Sequence, residues 1–187
     1  MSANPKRGAI RSIEAYAQGK MLDHSAWREI LPRNITPSDI DACFDNNGDI
    51  LYCELTRHTT TWLGDDGKVH PKIGHGQFML YFNAIGPISK DLAVLLHHDV
   101  PATRAIDTRA DIDAFQVMVR KGDEVVFSPV WHRWEKFVVS WYDNPSKVRR
   151  ICVDEAAKAA FKTPGEHDEW LAGYEAAFRE IYGYEPW

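Results

Sequence analysis

Two acidic residues stand where acids are costly. Asp41 lies in the run Ile40-Asp41-Ala42-Cys43-Phe44, and Glu54 lies in Leu51-Tyr52-Cys53-Glu54-Leu55. A carboxylate inside such an apolar run needs a partner or a metal ion. Asp45-Asn46-Asn47-Gly48-Asp49 separates the two runs, and Asn-Gly between apolar runs is the strongest short-range signal for a β-hairpin. A hairpin sets one carboxylate on each of two adjacent strands. That suits a hard divalent cation such as Mg²⁺, which is held by one or two carboxylates together with water and phosphate. Alternation along a strand puts Glu54, Thr56 and His58 on one face and Asp39, Asp41 and Cys43 likewise on one face. Asp39, after Thr36-Pro37-Ser38, also suits a simple cap. Further on, Gln77 and Tyr81 are one helical turn apart and share a helix face.

The elements that must position these groups follow from pattern. Ser12 caps a predicted helix to about Lys20, a second short helix runs from about His24 to before Pro32, and strands are expected at about 39–45 and 49–56. Residues 59–76 carry Gly64, Gly67, Pro71, Gly74 and Gly76, too many breakers for a regular element. A helix is expected over about 77–85, a buried strand over 92–96, and a hairpin from 115–119 and 125–127 around Lys121-Gly122-Asp123. Trp131, Trp134, Phe137, Val138, Trp141 and Tyr142 recur at spacings of three and four, which predicts a helix that Pro145 stops. Shorter and longer helices are expected at about 153–161 and 166–182, the last with Trp170, Tyr174, Ala177, Phe178 and Ile181 on its apolar face. The aromatic stripe over 131–142 reads first as the face buried against the sheet, and second as a base-stacking platform.

Composition bounds the function classes. The 187 residues are 44% hydrophobic and 26% charged, an ordinary globular balance that suits one domain over 1–187. A net charge of −5 argues against a broadly basic nucleic-acid binder but leaves room for a local basic groove. Cys43, Cys53 and Cys152 form no CxxC pair, and Cys43 and Cys53 are expected as small buried hydrophobes. The odd count and the polar start from Met1 to Arg11 point to a reducing cytoplasm and to no membrane partner. His58, His70, His75, His97 and His98 lack the paired spacing of a zinc site and are expected on loops or the surface.

The run Ser38-Asp39-Ile40-Asp41, Gly48, Leu51 and Glu54-x-Thr56, followed by Gln77-x-x-x-Tyr81, resembles the core of the PD-(D/E)XK nuclease superfamily. The resemblance covers about residues 10–100. It implies an α/β fold with a mixed central sheet flanked by helices, to which 101–187 would add a hairpin and a helical C-terminal extension. It also implies metal-dependent hydrolysis of nucleic acid, DNA favoured, with Mg²⁺ or Mn²⁺ held by Asp41, Glu54 and a helix carboxylate, Glu14. Gln77 and Tyr81 would order the site or contact the bound strand, and a phage or mobile-element source would suit so compact a chain.

One position departs from the pattern. Thr56 stands where the family has a lysine that orients water or stabilises charge at phosphorus. Loss of such a donor typically costs on the order of 10²–10³ in rate. Lys72 or His58 are candidates to stand in, whereas Arg57 should point to the opposite face. Three readings stay open: a metal-dependent nuclease, a nuclease-like fold that binds nucleic acid or a protein without cutting, and a coincidental motif with Asp41 and Glu54 paired to basic residues.

Overall fold

The computed structural model describes residues 41–56, 61–63, 69–71, 73, 75–101 and 103–187. The two expected N-terminal helices, Glu14, Asp39, Arg57, His58 and Lys72 lie outside the described residues. The described chain is α/β: a five-stranded mixed sheet, a two-stranded ribbon and four helices.

The Asn-Gly hairpin forms where turn chemistry requires it. Strands β1 (Ala42–Asn46) and β2 (Asp49–Thr56) pair antiparallel from Ala42↔Cys53 to Asn46↔Asp49. Asn47 and Gly48 take φ 56 and 87, the doubly left-handed turn that matches strand twist. Asp45 Oδ1 accepts from Gly48 N at 2.8 Å and fixes the turn. Beyond β2, the segment rich in Gly and Pro holds more structure than expected: β3 (Thr61–Leu63) pairs antiparallel with β4 (Val69–Pro71), with Trp62 opposite His70. Strands of three residues fit between the breakers, and Pro71 sits at a strand end, where its missing N–H does least harm.

Helix α1 (His75–Ala84) then crosses to β5 (Leu92–His98), which lies parallel to β2 with Glu54 beside Leu95 and Thr56 beside His97. Strand β6 (Ile112–Lys121) pairs antiparallel with β5, and β7 (Glu124–Phe127) with β6, so the order is β1-β2-β5-β6-β7. Every residue of β5 is buried, as expected for a central strand covered on both faces.

Alternation sorts the side chains. Leu51, Cys53, Leu92, Val94, Leu96, Phe115 and Val117 face the C-terminal helices, whereas Ala93, Leu95 and Met118 face α1 through Tyr81 and Ile85. Three helices follow the sheet: α2 (Trp134–Asp143), α3 (Pro145–Ala160) and α4 (Pro164–Tyr182). The aromatic stripe is used largely as packing, with Trp134 and Trp141 buried, but Tyr142 faces outward. Trp131 is not helical: its backbone exchanges two 2.8 Å hydrogen bonds with Phe115, which extends the sheet by an isolated bridge. Pro145 ends one helix and begins the next. As first residue of α3 it lacks only an N–H that would have no helical partner, and Asn144 caps the turn by accepting from Lys147 N at 2.9 Å. The helix expected at 153–161 therefore starts at 145. In α4, Thr163 and Glu166 form a reciprocal capping box.

Arg149 ties the distant parts together. Its side chain is 2% exposed. It donates to Asp49 Oδ1 at 3.0 Å, Lys90 O at 2.9 Å, Ser146 Oγ at 3.3 Å and Pro186 O at 2.6 Å. The start of β2, the approach to β5 and the C-terminal segment thus share one guanidinium, which lies over the Phe178 ring. Arg149→Ala is expected to lower unfolding free energy by about 3 kcal/mol or more, because it strands buried acceptors and a carboxylate. Arg149→Lys should recover only part, since an ammonium cannot reproduce the fork. Urea denaturation is the check, and a loss below about 1 kcal/mol would contradict this role.

Candidate functional site

Glu54 is 3% exposed and lies on the face of β2 that α1 covers. Its environment is polar by construction. Tyr81 Oη donates to Glu54 Oε2 at 2.6 Å and also approaches Cys53 O at 3.1 Å. Gln77 Nε2 donates to Glu54 Oε1. Gln77 and Tyr81 are therefore brought to one carboxylate by their i,i+4 spacing on α1. Gln77 is exposed and Tyr81 fully buried, so the cluster runs from solvent into the core.

Asp41 immediately precedes β1 and is exposed. Continuing the antiparallel register beyond Ala42↔Cys53 sets it opposite Glu54. Its Oδ2 accepts from Leu55 N at 2.7 Å, capping a backbone donor that β1 no longer pairs. Asp41 and Glu54 both act on the same phenol. The Tyr81 pKa is raised above the ordinary tyrosine value first by burial, then by its hydrogen bond to Glu54, then by the negative charges of Glu54 and Asp41. The two carboxylates predicted from sequence thus converge on one locus.

Thr56 lies two residues beyond Glu54 on the same strand face, half-buried, and pairs in register with His97. His97 and His98 are 1% and 9% exposed, not surface residues as expected. Their strand continues to the sheet's interior through His98, which the apolar run 92–96 alone does not signal. His98 Nδ1 accepts from Val100 N at 3.2 Å. Gln116, beside Leu95 on the same sheet face, is 1% exposed and donates from Nε2 to Ser128 O at 3.1 Å. His97 and Gln116 are the polar neighbours that sequence reasoning missed. A glutamine within Ala-Phe-Gln-Val-Met was a usable signal, whereas the parallel register that brings His97 beside Thr56 was not. Cys43 is exposed on the edge strand, contrary to expectation, while Cys53 and Cys152 are buried. Burial pushes both of those thiols up, away from reactivity.

Among the described residues, no three His, Cys, Asp or Glu side chains form a metal-binding group, and Glu14 lies outside them. The pair Asp41 and Glu54 suits the sparser protein set of Mg²⁺ or Mn²⁺, for which water and phosphate complete the shell. No helix among the described residues is long and apolar enough to cross a membrane. No family model, curated protein or solved structure matches the chain.

The Tyr81 phenol supplies a direct check on the cluster. Its raised pKa means that the folded state holds the proton more tightly than the unfolded chain. Stability from this source is fully present below about pH 10 and is lost as pH rises above it. Tyr81→Phe is expected to be less stable than wild type by about 1–3 kcal/mol at about pH 8. The gap should narrow above about pH 10 when followed by urea denaturation. A gap that stays constant to about pH 11 would show that the hydroxyl is not what Glu54 relies on.

Proposed function

We propose that the chain is a metal-dependent phosphodiesterase of the PD-(D/E)XK kind acting on nucleic acid, DNA favoured. The observation that carries this reading is the buried Glu54 carboxylate held by Tyr81 and Gln77 from the crossover helix, with Asp41 just before β1, where the register continued by one residue sets it opposite Glu54. The order of hairpin, helix and parallel strand over β1, β2, α1 and β5 agrees with the same reading.

Asp41 and Glu54 would hold the Mg²⁺ or Mn²⁺ ion. Such an ion polarises a phosphoryl oxygen and lowers the pKa of bound water towards neutrality. Tyr81 and Gln77 fix the Glu54 carboxylate in one orientation, so that little reorganisation is needed when substrate arrives. Asp41 and Gln77, both exposed, mark the side from which a phosphodiester can approach. Thr56 shares the Glu54 face at the position where the family carries lysine, and brings no positive charge. This one observation favours a second reading, in which the same fold grips nucleic acid or a protein partner without cutting.

Cleavage assays separate the two. Labelled single-stranded, duplex and branched DNA and RNA are incubated with Mg²⁺ or Mn²⁺ and the wild-type chain, Asp41→Ala or Glu54→Gln. The nuclease reading expects wild-type cleavage that both variants abolish. Thr56→Lys should raise the rate by about 10²-fold, the usual worth of one transition-state donor. Equal traces in all four proteins would overturn the nuclease reading and leave binding without catalysis.

A further inference from the structure

A second recess lies on the opposite face of the sheet, outside the Glu54 cluster. It is a cavity of about 320 Å³ between the Trp131 bridge and helices α2 and α3, within the size range of small-ligand sites. Its floor is aromatic: Phe115 contacts Trp131 at 5.7 Å and Phe137 at 4.8 Å between ring centroids, and Trp131 and Phe137 are half-buried. Its rim is cationic. Arg133 and Lys136 line it with His132, and no carboxylate does. Neither Arg133 nor Lys136 forms an ion pair with a described residue, and the same holds for the exposed Lys147, Arg150 and Lys162, whereas Arg104, Arg109 and Lys158 are each paired to an acid. Glu135, the nearest acid in sequence, is engaged by Arg109 at 2.9 Å and lines a different recess. Two cations without a carboxylate partner thus stand beside an aromatic floor. Aromatic rings stack on flat π faces, and guanidinium and ammonium groups bind phosphate.

We infer that this recess binds a nucleotide, with the base against Trp131 and Phe137 and the phosphate held by Arg133 and Lys136. The ligand is a nucleoside monophosphate unit, whether free or at the end of a single strand. The inference stands apart from the metal site, since it draws on no residue of the Glu54 cluster. Arg133 itself has φ 65, a conformation that costs a side-chain-bearing residue and suits glycine. This makes Arg133→Gly a test that removes the guanidinium without harming the fold.

Isothermal titration calorimetry in the absence of divalent cations is the experiment. The probes are a nucleoside 5′-monophosphate, the matching nucleoside, inorganic phosphate, and a short single strand ending in a 5′-phosphate. The monophosphate should bind at least about tenfold more tightly than nucleoside or phosphate alone, since each supplies only half of the contacts. Arg133→Gly and Lys136→Gln should each weaken it by about tenfold or more, with the thermal midpoint of Arg133→Gly no lower than that of wild type. Tighter binding of the oligonucleotide assigns a strand end, and tighter binding of the mononucleotide assigns a free nucleotide. Undetectable binding of both phosphorylated probes, or unchanged binding in a folded Arg133→Gly, would overturn the inference.

Discussion

A carboxylate that sits inside a sheet must be hydrogen-bonded, and the layout around Glu54 follows from that requirement. With 3% of its surface exposed, an unpartnered Glu54 would oppose folding by several kcal/mol. The chain meets the constraint by crossing from β2 to β5 through a helix that carries Gln77 and Tyr81 four residues apart. The same hydrogen bonds that make burial tolerable also fix the carboxylate's orientation. Stability and site geometry are therefore one arrangement, and neither can be relaxed without the other.

The distal half of the chain serves that arrangement from outside. Arg149 binds Asp49 at the root of β2 and the carbonyl of Lys90 just before β5, the two parallel strands that flank the helical crossover. Asn46, at the hairpin turn, donates to the carbonyl of Tyr142 at the end of α2. The C-terminal helices do more than cover apolar surface: they set the relation between the hairpin and the central strand. By register, Leu55, Leu96 and Phe115 lie in one row across the sheet. The aromatic recess beneath Phe115 and the Glu54 cluster consequently stand at the same level on opposite faces.

What the sequence disclosed is what local chemistry determines. Asn47-Gly48 specified the hairpin because only residues that tolerate positive φ make that turn. Gln77 and Tyr81 were legible as a pair because helical spacing is local, and Trp170, Tyr174 and Phe178 because a buried helical face repeats. The departures from expectation have two sources, longer-range pairing and local capping. Cys43 is exposed because β1 is an edge strand, and edge position depends on partners far along the chain. His97 is buried beside Thr56 because β2 and β5 pair in parallel, with a register that no short motif encodes. Pro145 ends one helix as its ring predicts, but Asn144 before it also caps a new one, a local signal that the stop alone does not convey. Trp131 kept the helical period by coincidence while its backbone joined the sheet.

Asp41 and Glu54 are proposed to hold a divalent cation together. Mn²⁺ titration followed by electron paramagnetic resonance tests it without reference to any substrate. A bound fraction is expected in wild type that Asp41→Ala and Glu54→Gln each reduce by about tenfold or more, and that Mg²⁺ displaces competitively. Mn²⁺ binding that is absent, or equal in all three folded proteins, would contradict it.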